Sequence, residues 1–151
     1  MELPHNIKIK AILAQGGAFK AKLAHNADQY ARYYFVLNIA PQSDSVIILI
    51  SSTTTFYDHQ FCEQADLVHV PLTPSDYPAF RENCLVCCSW FIKIPKSKLE
   101  TELQSQKYDL LDPLPQDVLT KILQGIRRSP TVPTNIKEMI VEKLDLDNKD
   151  F

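Results

Sequence analysis

An α+β fold, a small half-open β-barrel with helices packed on its outside, is predicted for this chain of 151 residues. Three observations predict it. Short apolar and β-branched runs separated by turn residues gather between residues 33 and 94, helical periodicity takes over after Pro95, and no internal repeat or long flexible linker divides the chain. With 45% hydrophobic and 23% charged residues, the composition is that of one globular domain. A chain of this length buries enough surface to be stable without disulfides or a structural metal, and no cofactor is expected.

The first thirty residues read as an attached appendage. Ile7 and Ile9 alternate with Lys8 and Lys10 like a strand, and Ala18 to Leu23 reads as a short helix after Gly16 and Gly17. The barrel domain then spans residues 31–129. Its first strand is YYFVLNI, Tyr33 to Ile39, followed by turn chemistry at Pro41, Ser43 and Asp44. Val46 to Ile50 is an unbroken apolar run, which predicts a strand covered on both faces. DLVHVPL, Asp66 to Leu72, is the third strand, and Pro71 places it at an edge or an end because proline lacks a ladder N–H. LVCCSWFIKI, Leu85 to Ile94, is the fourth and stops at Pro95. Leu99 and Leu103 mark a short helix. Leu119, Ile122, Leu123 and Ile126 keep helical spacing after Pro115, with Gly125 as a weak point. Residues 130–151 form a last helix, with Thr134 as its cap and Ile136, Met139, Ile140 and Leu144 on one face, and an acidic tail with Asp145, Asp147 and Asp150.

Several function classes are excluded by what the chain lacks. Its three glycines form neither a dinucleotide fingerprint nor a P-loop, so no backbone cradle for phosphates is built. No apolar run is long enough to span a membrane, and no secretory h-region is seen near the start, so no membrane partner and a cytoplasmic location are expected. A net charge of -2 gives no global pull toward nucleic acid, and local basic stretches at Lys8, Lys10, Lys20 and Lys22 and at Lys93, Lys96 and Lys98 read first as solvated surface.

Candidate chemistry is sparse. His59-x-x-Cys62 and Cys84-x-x-Cys87 outline a zinc site, but residues three apart on a strand point to opposite faces, so Cys84, Cys87 and Cys88 read as small buried hydrophobes and no metal is expected. Asp58-His59 is a polar pair in a turn-rich loop. His69 and Thr73 share a face if their strand continues that far, a face that is either core or cleft. Trp90 and Phe91 alternate faces, so one of them can be exposed for stacking on a base.

The order SVIILISSTT, DLVHVPLTPSD, CLVCCSWFIKIPKSKL and YDLLDPLPQDVLTKILQGI resembles the PemK/MazF/Kid group of bacterial toxin-antitoxin systems across roughly residues 31 to 128. The resemblance implies an SH3-like barrel, commonly a homodimer, that cleaves single-stranded RNA without metal and is neutralised by an antitoxin peptide in the same groove. It implies that Thr73, after the Pro-apolar step, hydrogen-bonds a phosphate oxygen. The family's arginine before the second strand falls at Ser45, and its other active arginine and aspartate fall at Cys87 and Ser89. A guanidinium is the group best suited to a pentacoordinate phosphate, and losing one such donor costs about 3 kcal/mol of barrier. Arg81, Arg32, His69 and Lys93 are the side chains left to supply that charge. The expectation is therefore a toxin-like RNA-binding protein, catalytic through Thr73, Arg81 and His69 if it is an endoribonuclease, with Ser45, Trp90 and Lys93 toward the RNA. The alternative is a noncatalytic small-barrel interaction module.

Overall fold

A computed structural model describes residues 3–24, 30–53 and 68–141. Asp58, His59, Cys62, the start of the expected third strand and the acidic tail lie outside the described residues. The chain runs through α1 (His5–Ile12), β1 (Ala18–Ala21), β2 (Arg32–Val36), β3 (Val46–Thr53), β4 (His69–Leu72), β5 (Cys84–Pro95), α2 (Lys96–Gln104), β6 (Asp109–Leu111), α3 (Gln116–Arg128) and α4 (Thr134–Ile140). The strands form one antiparallel sheet in the order β4-β5-β3-β2-β1-β6. This is an α+β fold. No ladder joins β4 to β6 among the described residues, so the sheet is not closed and the half-open barrel expected from the sequence is shown only as an open antiparallel sheet with helices.

Alternation along the central strands makes two cores. Phe35, Ile48, Ile50, Val86 and Cys88 face α3 and α4, while Tyr34, Val36, Ile47 and Leu49 face α1 and α2. Helices thus cover both faces rather than one outside. The unbroken run in β3 is explained by this, since its four central residues are fully buried from either side. Pro71 is exposed on the edge strand β4, as its missing N–H requires.

Each helix is entered from a proline, Pro4, Pro95, Pro115 and Pro133, in extended conformation and without a side-chain cap. Proline presets φ, so it fixes the entry angle where serine or threonine otherwise supplies a hydrogen bond. Thr134 is consequently the first helical residue rather than the cap.

The N-terminal thirty residues require correction. Residues 5–12 are helical, and 18–21 are a strand paired to both β2 and β6. Ile9 and Ile12, one turn apart, pack on the sheet while Ile7 is exposed, so the alternation with lysine was not a strand period. In β1, Phe19 stacks on Tyr34 at 5.4 Å between ring centroids, and pairing on two sides overrides the helical preference of its alanines. Residues 18–21 are a strand of the sheet, and α1 packs on it.

Gly125 does not weaken α3 but lets it approach β5. A Cβ there would lie 2.5 Å from Cys88 Sγ and 3.3 Å from Val68 Cγ1. Gly125→Ala is expected to lose about 1–2 kcal/mol in urea unfolding, because overpacking outweighs a helix-propensity gain of about 1 kcal/mol. In a Cys88→Ala background the loss should shrink, and an equal loss in both backgrounds would contradict the contact.

Candidate functional site

The candidate residues are strung along β5. Thr73 follows Leu72, which pairs with Cys84 at one end, and Ser45 precedes Val46, which pairs with Pro95 at the other. At about 3.3 Å per residue, the 12 residues of β5 keep these two ends roughly 30 Å apart, less a shortening at a bulge. One substrate phosphate cannot touch both.

β4 ends at Leu72, so His69 and Thr73 do not share a strand face. Thr73 instead opens a turn: its N–H and hydroxyl both donate to Asp76 Oδ2, at 2.8 and 3.1 Å, and its carbonyl accepts from the N–H groups of Asp76 and Tyr77. The local pattern Thr-x-x-Asp is that of a capping turn. Thr73 is exposed, as expected, but its hydroxyl faces a carboxylate, which repels a phosphate oxygen. The two Thr73 donors hold the Asp76 carboxyl below its ordinary range, the backbone N–H more than the hydroxyl. In Thr73→Val the Asp76 midpoint, followed by NMR, should therefore rise while staying below the ordinary carboxylate value. Because the folded pKa is depressed, the stability gained from this turn is present above the unfolded pKa and lost as pH falls through the folded one. Wild type and Thr73→Val should accordingly converge in acid.

His69 pairs with Cys87 and is half-buried, and burial lowers its pKa, which disfavours the charged imidazolium. Arg81 is exposed on the connection from β4 to β5, close enough to Tyr33 to favour its phenolate against the effect of burial. Tyr33 donates to the Ala79 carbonyl at 3.0 Å, and Lys20 Nζ sits 5.1 Å from its ring centroid. Lys20, Tyr33 and Arg81, with Asp109 across the ladder from Lys20, form an aromatic patch of mixed charge that no local motif announced, because it joins β1, β2, β6 and a loop. Cross-strand register was the missing signal.

In β5 the ladder to β3 is interrupted: Ile50 pairs with Phe91 and Ser52 with Val86, so four residues of β5 face Ser51. Such a bulge changes which side chains point where. Cys88 and Phe91 both face the α3 core although they are three apart. Trp90 is 51% exposed, matching the expectation of one exposed aromatic. Lys93 is exposed and pairs with Ile48, on the face of Phe91, whereas Trp90 precedes Phe91 and starts on the other face. Ser45 is exposed, and its carbonyl accepts from the Lys96 N–H at the start of α2. Ser89, where the resemblance places an aspartate, hydrogen-bonds Ser129 at 2.8 Å.

The thiols of Cys84 and Cys88 are buried in the α3 core, and burial raises both, Cys88 to about 12. They are inert packing groups at neutral pH. Among the described residues no three His, Cys, Asp or Glu side chains gather to hold a metal, and no helix is long and apolar enough to cross a membrane. The chain matches no protein-family model, and no curated protein is significantly similar to it.

Proposed function

We propose that this protein is a noncatalytic interaction module. The observation that supports the reading is that the Thr73 hydroxyl, the group expected to serve the phosphate, is committed to Asp76. Acid-base cleavage of RNA needs its proton carriers and a cation around one phosphate, within about 3 Å of the atoms they serve. The surface offers contact area instead: the patch of Lys20, Tyr33 and Arg81, of mixed charge through Asp109, suits an extended protein segment of the antitoxin type implied by the PemK/MazF resemblance. In that reading the protein is cytoplasmic and dimeric.

A second reading, contact with single-stranded RNA, is favoured by Trp90, since an indole half in solvent can stack on a base for about 1–3 kcal/mol. One experiment separates the readings. Purified protein incubated with single-stranded RNA and a chelator should leave it intact, and binding should be absent or weakened by Trp90→Ala without strand scission. RNA cleavage that falls with Thr73→Ala would overturn the module and restore the endoribonuclease.

A further inference from the structure

At the β3–β5–β4 end of the sheet, the face turned away from α3 carries a row of polar side chains. Alternation places Val70 and Leu72 of β4, and Cys84, Val86 and Cys88 of β5, in the α3 core, so His69 and Cys87 point the other way. In β3, the Ser52 hydroxyl hydrogen-bonds the Cys84 thiol on the α3 side. Ser51 therefore shares the face of Cys87, where it pairs with Tyr34 of the opposite core.

Register brings a thiol and an imidazole together on this face. His69 lies directly opposite Cys87, and one step along the ladder the Cys88 N–H donates to the Val68 carbonyl at 2.8 Å. Val68 and Cys88 are thus a hydrogen-bonded pair. The next pair, His69 with Cys87, is then of the non-hydrogen-bonded kind, whose Cα atoms lie about 4.5 Å apart and whose side chains approach closest. Both side chains have other contacts as well, and Cys87 carries a thiol rather than a disulfide. Among the described residues no other thiol has a histidine opposite: Cys84 pairs with Leu72, and the Cys88 thiol turns to the Ile122 carbonyl.

A thiol reacts as its thiolate, and a base beside it supplies that state. Burial favours the neutral form of His69, the form with a ring nitrogen able to accept a proton. We propose that Cys87 is an oxidation site of this protein, at which hydrogen peroxide converts the thiol to a sulfenic acid with His69 as the proton acceptor. The thiol proton passes to the imidazole, and the sulfur bonds to one peroxide oxygen as the O–O bond breaks. The departing hydroxide takes the proton back from the imidazolium and leaves as water, so sulfur is oxidised and peroxide reduced with no further reagent. Access selects the oxidant: Cys87 is 5% exposed, which admits a molecule of nearly the size of water and excludes a bulky disulfide. Oxidation at Cys87 does not depend on the interaction reading above.

The test treats the full-length chain with hydrogen peroxide in the presence of dimedone, which traps sulfenic acid, and maps the label by tandem mass spectrometry. Cys87 is expected to be labelled about tenfold faster than Cys84 or Cys88. His69→Asn and His69→Gln should each slow Cys87 labelling about tenfold, with thermal unfolding checking that both variants remain folded. Pro71→Ala, which alters the same strand face without touching the base, should leave the rate within about twofold of wild type, which separates loss of the base from loosening of β4. Labelling of Cys87 no faster than of Cys84 and Cys88 in the wild-type chain, or a wild-type rate in both His69 variants, overturns the proposal. A slowing by Pro71→Ala as large as that by the His69 variants overturns the role of the imidazole.

Discussion

Gly17→Ala should lower the unfolding free energy by at least about 3 kcal/mol, measured as the shift of the urea midpoint at constant slope. A methyl on Gly17 would overlap the Ile12 carbonyl oxygen, and it would lie 2.8 Å from that carbonyl carbon and 3.0 Å from the Ala14 oxygen. These are backbone atoms, so no rotamer change relieves the overlap and the end of α1 has to move. Movement is costly at this point. The Gly17 carbonyl accepts from the Val36 N–H, the Gly16 N–H donates to the Val36 carbonyl, and the Gly16 carbonyl accepts from Leu114. The turn therefore joins α1, β2 and the approach to α3. Gly16 has φ +87°, so Gly16→Ala is strained by conformation, at roughly 1–2 kcal/mol. A Gly17→Ala loss no larger than that of Gly16→Ala would contradict the close approach.

Asn38→Leu should cost about 3–5 kcal/mol by the same measurement. Asn38 is fully buried, and its side-chain amide continues the β2–β3 ladder after β2 has ended. Its Oδ1 accepts from the Ile48 N–H at 2.7 Å, and its Nδ2 donates to the Val46 carbonyl at 2.9 Å and to Asp44 Oδ2 at 2.8 Å. Leucine fills a similar volume but strands a buried backbone donor and acceptor, each at about 1–3 kcal/mol. Asp44→Ala should lose less, because the Asn38 amide keeps the Val46 carbonyl and Asp44 is half in solvent. Equal losses in the two variants would show that the aspartate, not the backbone pairing, carries the effect.

The legible part of the fold was whatever a local period records. The strands around Tyr34, Ile48, Val70 and Ile92, the helix after Pro115 and the edge position of Pro71 follow from side-chain spacing and from the missing proline N–H. Ala18 to Ala21 was misread because its helix-forming alanines became a strand only through neighbours that lie far away in the chain. The candidate site fared likewise. Thr73 was correctly expected to be exposed, yet its partner Asp76 is set by a turn, and its distance from Ser45 is set by the length of β5. The bulge opposite Ser51 defeated strict alternation between Cys88 and Phe91, which lie three apart yet share a face, so faces could not be counted along the whole of β5.

The amino-acid sequence by itself determined the α+β class, the four strands between Tyr33 and Pro95, and the lack of a glycine-built phosphate cradle, because composition and periodicity are properties of neighbouring residues. Tertiary structure alone decided that helices cover both faces of an open sheet, that Ala18–Ala21 is one of its strands, and that His5, Lys8, Lys107 and Tyr108 meet around one cavity. Those outcomes depend on contacts between residues more than a hundred positions apart, such as His5 and Tyr108, whose register no local pattern encodes.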